Sequence, residues 1–405
     1  MRRTMITLLL IAFTLLATSC EPVYLHAPWV ASWSPDGGRV ALASFPFDHP
    51  TDLPSESGIW ILEVSSGKSR RILELHDGRL IGHLQWSPYD ETLLFLTVET
   101  EGNDLKKGDH VPFSVWTIGV DGRNLRKVAD GSAKSEDDLV VKNFVAWGPM
   151  PETVIYADFK DGKIAAIMLD LKSRETTNIL PAPATAYALE FSPSRDKAAL
   201  LSYGEKSDEA DLYVANSGGS VNWRFVGVVQ AGNAFGHNDT QRIHWSPDGS
   251  KFLIFEDGPA CCAARVYDPW TGGSVQVSAE EPNTGVVWSA DARSFFYSGN
   301  DGIFRVDVQT QKTTQLVRGE KIRLMSLNAA DGRLYFFQTV KDGEADGSEE
   351  TYYHNIYSCL PDGADLRVGD SRLRTGDWLW ERSPTGTDIL FMTDHSPATL
   401  LNLRP

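Results

Sequence analysis

The phrase Trp-Ser-Pro-Asp-Gly, set between apolar runs, constrains this chain more than any bulk property does. In IHWSPDGSKFLIFED, residues 243–257, Pro247 fixes φ near the value wanted at the second position of a type I turn. Asp248 tolerates the third position, and Gly249 can take the left-handed conformation that closes the loop. The phrase therefore predicts a β-hairpin. Its outgoing strand carries Phe252, Leu253, Ile254 and Phe255 in succession, so both faces of that strand need cover. One hairpin cannot cover both faces of its own strands, and similar units must pack on each side.

The chain supplies them. Related phrases recur so that Trp33, Trp86, Trp147, Phe191, Trp245, Trp288, Asn328 and Arg382 stand at equivalent positions, 40 to 61 residues apart. A second hairpin follows most of them, as in IWILEVSSGKSRRIL and VWTIGVDGRNLRKVA. One unit is thus four antiparallel strands, A to D, and this period is that of propeller blades. The fold class expected is all-β, a β-propeller of four-stranded antiparallel blades. Eight blades are favoured over seven, the last of them truncated. The segment PVYLHAP (22–28) is expected to supply its missing outer strand, closing the ring by pairing the two termini and covering a sheet edge. Trp33, Trp86, Trp147, Trp245 and Trp288 are expected to pack between blades.

The W-S-P-D-G units resemble the PD40 (WD40-like) repeats of TolB-like and dipeptidyl-peptidase-type β-propellers. The resemblance covers nearly the whole chain after residue 20 and implies a fold rather than an activity. Peptidases with such a propeller carry a second domain with a G-x-S-x-G nucleophile elbow, and no such pentapeptide occurs here.

Arg2 and Arg3 followed by the apolar run Met5–Ala17 predict a signal peptide over 1–19, too short to span a bilayer. Ala17-Thr18-Ser19-Cys20 resembles a lipobox, which implies a lipoprotein anchored through Cys20 in the cell envelope. Ordinary cleavage after Ser19 is the alternative. Residues 20–405 then form a single propeller domain. The net charge of −16 argues against nucleic acid as a partner. Cys261 and Cys262 are expected to be two small semi-buried side chains rather than a strained disulfide, and Cys359, two blades away, is out of reach of either.

In a propeller the A–B and C–D turns share one face, and here they are tight. The B–C and D–A connections share the other, and here they are long, as in 45–57, 99–113 and 228–242. Long loops on a fixed scaffold are where binding evolves. His49, His110, His237, His354 and His395, with Asp239, fall in these connections and are the candidate binding residues. The run 342–350, with five carboxylates, lacks the spacing of a Ca²⁺ loop and reads as a solvated acidic loop. The expected function is a non-catalytic, monomeric, membrane-tethered module that binds a protein, peptide or glycan without a cofactor. The alternative is a metal-assisted carbohydrate-active enzyme, lyase- or hydrolase-like, with its site in the funnel; similarity to the oligogalacturonate lyase type implies a divalent metal held by loop histidines.

Overall fold

The computed structural model describes residues 28–44, 57–75, 79–99, 110–134, 145–160, 163–181, 186–203, 209–216, 222–230, 243–258, 261–278, 286–341, 352–369, 373–374, 378–393 and 396–403. Every regular element among them is a β-strand, and the strands group into eight antiparallel sheets laid down in chain order. The first blade is β1 (Pro28–Trp33), β2 (Arg39–Ser44), β3 (Ser57–Glu63) and β4 (Ser69–Leu75). The second is β5 (Arg79–Trp86), β6 (Thr92–Glu99), β7 (His110–Gly119) and β8 (Arg126–Lys134). The third is β9 (Val145–Trp147), β10 (Thr153–Lys160), β11 (Lys163–Asp170) and β12 (Thr176–Asn178). The fourth is β13 (Ala186–Phe191), β14 (Lys197–Tyr203), β15 (Glu209–Asn216) and β16 (Asn222–Gln230).

The fifth blade is β17 (His244–Trp245), β18 (Phe252–Gly258), β19 (Cys261–Tyr267) and β20 (Ser274–Ser278). The sixth is β21 (Val287–Trp288), β22 (Ser294–Gly299), β23 (Gly302–Asp307) and β24 (Lys312–Arg318). The seventh is β25 (Ile322–Leu327), β26 (Leu334–Lys341) and β27 (Tyr352–Cys359). On its outer edge β27 pairs with both β28 (Arg367–Val368) and β29 (Leu373–Arg374). The eighth has three described strands, β30 (Trp378–Arg382), β31 (Asp388–Thr393) and β32 (Ser396–Asn402).

The repeated phrase folds as a turn whose serine does as much as its proline. Ser34 Oγ lies 2.6 Å from Asp36 Oδ1 and accepts the Arg39 N–H at 2.9 Å, while Gly37 N–H donates to the Ser34 carbonyl. Ser246 repeats the set with Asp248, Lys251 and Gly249, and Gly249 takes φ +63° as the sequence required. The Ser34 hydroxyl, ahead of the Gly38 N–H, holds the Asp36 carboxyl below its ordinary pKa. A second set of bonds ties the C–D turns to the A–B turns on the same face: Val64 N–H to Gly38 O at 3.0 Å, Val120 N–H to Glu91 O at 3.0 Å and Leu403 N–H to Thr387 O at 2.7 Å. That is the tight-turn face.

Apolar clusters fill the seams between neighbouring blades. Ala41, Ile59 and Ile61 of the first blade meet Leu84, Trp86 and Phe95 of the second. Leu253, Ala264 and Val277 of the fifth meet Trp288, Phe295 and Tyr297 of the sixth. The seam between the eighth and first blades is filled as well. β1 packs on β30 and β31, and Trp33, Val40, Leu42 and Leu62 share a buried cluster with Leu390. Side-chain packing therefore closes the circle of eight. The expected strand 22–28 loses its last member to β1, where Pro28 sits opposite Ser44, and residues 22–27 lie outside the described ones.

One equivalence needs correcting. Leu327 pairs with Leu334 by the same step that pairs Trp33 with Val40. Asn328 then takes the place of Ser34, its N–H donating to Arg333 O at 2.9 Å and its Nδ2 to Leu403 O at 3.0 Å. Arg382, opposite Ile389, does occupy the tryptophan position of the eighth blade.

Candidate functional site

The innermost strands β1, β5, β9, β13, β17, β21, β25 and β30 surround the axis, and the tryptophan position is where consecutive blades are joined. Trp33, Trp86, Trp147 and Trp288 are buried and Trp245 is half-buried, each packed in a seam cluster. Trp147 Nε1 donates to Gln85 O at 3.3 Å, Trp245 Nε1 to Glu190 O at 3.3 Å and Trp288 Nε1 to His244 O at 3.1 Å. Each acceptor belongs to the residue just before the tryptophan position on the preceding blade. The side chain at that position also joins blades. Ser32 Oγ accepts the Trp86 backbone N–H at 2.8 Å, and Gln85 Oε1 accepts that of Trp147 at 2.9 Å. The fourth blade has Phe191 in place of tryptophan and lacks the indole N–H. Arg195 supplies the missing donors, bonding Trp147 O and Gly148 O of the third blade, with Tyr89 Oη also donating to Gly148 O at 2.9 Å.

This inner rim carries ionisable groups that the sequence reading did not single out. Glu190 of β13 is half-buried, and burial pushes its carboxyl up to about 7 despite the nearby Arg195 charge. His244 of β17 is buried, and desolvation, with the Arg382 charge, pushes its imidazole down to about 4. Towards the other end of the fifth blade, buried Glu256 accepts Tyr267 Oη at 2.6 Å and Arg265 Nε at 3.1 Å. Burial and that carboxylate push the Tyr267 hydroxyl well up. No spacing motif marks these residues, so only strand register places them.

The predicted loop residues fare differently. His49, His237, Asp239 and His395 lie outside the described residues, as do Cys20 and 342–350. His110 opens β7 in register with Lys134. His354 is not a loop residue. It sits in β27, buried, edge-on to Phe337 with ring centroids 5.0 Å apart and with Nδ1 3.0 Å from Thr339 Oγ1. Burial, with the Arg323 charge, pushes its pKa down to about 4. Its place within a strand of the blade corrects the expectation that it lies in a loop. Cys359 is a buried free thiol, raised to about 11 by burial, while Cys261 and Cys262 open β19. Among the described residues no three His, Cys, Asp or Glu side chains come together as a metal site.

No family model and no curated protein matches this chain. Solved structures do. Dipeptidyl peptidase 4 of Porphyromonas gingivalis aligns at 11% identity with a TM-score of 0.59, covering 94% of this chain and 59% of that one. This chain therefore spans little more than half the length of the peptidase. The Dos1 propeller aligns at 13% identity and TM-score 0.56, covering 94% of each chain. An oligogalacturonate lyase in complex with manganese aligns at 14% identity and TM-score 0.51, covering 94% of this chain and 89% of that one. At such identities the likeness speaks for architecture, and it agrees with the seams and registers above: the chain is an all-β propeller of eight antiparallel blades.

Proposed function

We propose that this chain is an exported propeller acting as a non-catalytic binding module, which takes a protein, peptide or glycan on the face of its long connections. The observation that carries the reading is the asymmetry between the two faces. On one face the serine and aspartate side chains of the turns are spent on the turns' own backbone, as at Ser34, Ser246 and Ser289. Groups so used have little left to offer a ligand. From the strand ends of the opposite face the sequence runs through 45–56, 100–109 and 231–242, lengths the scaffold does not require, since three residues suffice to join β4 to β5.

The basic start at Arg2 and Arg3, the apolar run 5–17 and Cys20 support export and a lipid tether in the cell envelope. A short tether would hold the ring against the membrane and leave the loop face to a partner. Photoreactive residues placed at Asp48, Lys106 and Asn233 on the loop face, and at Ser66, Arg123 and Lys172 on the turn face, test the reading in cells. One partner adduct from the first set alone is expected, and adducts from the turn set alone would overturn it. Divalent metal retained through purification and lost in His237→Ala would replace the module by a metal-assisted enzyme.

A further inference from the structure

The third blade breaks off on its outer side before its neighbours do. Its outer strand β12 pairs with only three positions of β11, Ile167 to Leu169, whereas β8 pairs with eight of β7 and β16 with eight of β15. Ile179 N–H still donates to Ala166 O at 2.9 Å, and the chain then turns inward, packing Ile179 and Leu180 against Leu189 and Phe191 of the fourth blade. Lys163, Ile164 and Ala165 pair with β10 on their inner side. Among the described residues nothing pairs with them on the outer side. An exposed strand edge of this kind is a template for another strand.

The wall beside that edge is apolar. Trp223 of β16 turns towards the third blade and donates its indole N–H to Ile179 O, and Phe225, two residues on, shares its face. Phe225 is 54% exposed and stands edge-on to Tyr213, with ring centroids 5.5 Å apart. Val228, 51% exposed, lies on the same side, because it pairs with Asp211, two residues from Tyr213 on β15. The side of β16 that faces the fifth blade is covered: Val229 is buried in the seam, and Arg224 bonds Pro269 O at 2.8 Å and Thr271 O at 3.1 Å. So β16 exposes its large apolar side chains on the side that β12 leaves uncovered. Asp211 completes the wall, with the Tyr213 hydroxyl beside it and no cation paired with it among the described residues.

We propose that this recess on the outer wall takes an extended segment of a partner protein. The segment continues the line of β12 along the β11 edge, sets apolar side chains on Phe225 and Val228, and places a lysine or arginine beside Asp211. In the second and fourth blades the same level is filled by the blade's own outer strand, so extended backbone is the form that fits it. The chain's net charge of −16 favours a basic segment as well. The site lies on the outer wall rather than on the long connections, so it stands if the loop-face reading fails.

The test uses the full chain, immobilised, and a library of random peptides displayed on phage. The library is first depleted on a Phe225→Ser, Val228→Thr double variant, which discards peptides held elsewhere. Thermal melts check that this variant is folded, and Phe225→Ser alone serves if it is not. Peptides that survive depletion and bind the wild type should alternate apolar residues and carry a lysine or arginine. A survivor made synthetically and followed by fluorescence anisotropy should bind Asp211→Asn roughly threefold more weakly and Phe225→Ser roughly tenfold more weakly. Methylating its alternate backbone nitrogens should abolish binding, and hydrogen exchange over Lys163–Ala165 should slow when it is bound. The proposal is overturned if no peptide survives depletion, if the survivors are acidic, or if backbone methylation leaves their affinity unchanged. It is overturned also if the chain proves dimeric and the double variant monomeric, since a second copy would then be the occupant.

Discussion

Replacing a seam tryptophan by phenylalanine should cost very different amounts at Trp288 and at Trp86. Both rings are buried, at 7% and 4% exposure, and both fill a cluster between blades. Trp288 Nε1 donates to His244 O at 3.1 Å, whereas Trp86 Nε1 is buried with no partner. Trp288→Phe removes the indole hydrogen bond across the seam, at about 0.5–1.5 kcal/mol. The smaller ring leaves a void costing about 1 kcal/mol more. Trp86→Phe leaves a similar void but removes an N–H whose burial already costs about 1–3 kcal/mol, so the two terms offset. Arg39 stacks 4.9 Å from the Trp86 ring centroid, and weakening that contact subtracts only about 0.5 kcal/mol. The expected loss is therefore about 1.5–2.5 kcal/mol for Trp288→Phe and under about 1 kcal/mol for Trp86→Phe. Urea unfolding at pH 7, followed by far-ultraviolet circular dichroism, measures both. Equal losses would refute the claim that the indole bond, rather than ring volume alone, ties the blades.

Titration gives a second test. The folded pKa of His244 is depressed from 6.5 to about 4, so its contribution is fully present above pH 6.5 and lost as pH falls towards 4, about 3 kcal/mol in all. Urea midpoints taken across that window should fall in the wild type and flatten in His244→Gln. Glu190 runs the other way: its folded pKa is raised from 4.5 to about 7, so stability is lost as pH rises through 7, and Glu190→Gln should remove that loss. A side chain added at Gly302, at φ +141°, would meet Val317 O at 1.9 Å, whereas one at Gly249 would meet Ser192 Cβ at 3.3 Å. Thermal melts should accordingly rank Gly302→Ala well below Gly249→Ala, the first losing more than about 2 kcal/mol. Tyr267→Phe takes a hydrogen bond from buried Glu256 and should lower the urea midpoint by about 1–3 kcal/mol, and an unchanged midpoint would show that Arg265 satisfies that carboxylate alone.

The periodic phrase was enough to read the strand order, the tight turns and the inter-blade tryptophans, because hairpin chemistry and alternation are local and repeat in every blade. Gly249 had to take positive φ whatever packed around it, and Trp147 and Trp288 were recognisable as core by type and spacing. Local reading failed where the repeat degenerates. Asn328 was placed one residue out because Leu327 had replaced the aromatic that marks the register. His354 looked like a loop residue because nothing in the sequence shows that β27 begins at Tyr352.

Which charges reach the inner rim was beyond sequence altogether. The Arg382 charge that helps to lower the His244 pKa comes from 138 residues away, with no motif between them. Glu190 stands where Gln85 stands two blades earlier, and there the side chain accepts the next blade's N–H. Sequence by itself settled the identity of the repeating unit, since each sheet's hydrogen bonds and alternation are complete within one stretch of chain. Only the closed circle decided what the inner rim holds, because the burial, charge and partners of those groups come from blades far apart along the chain.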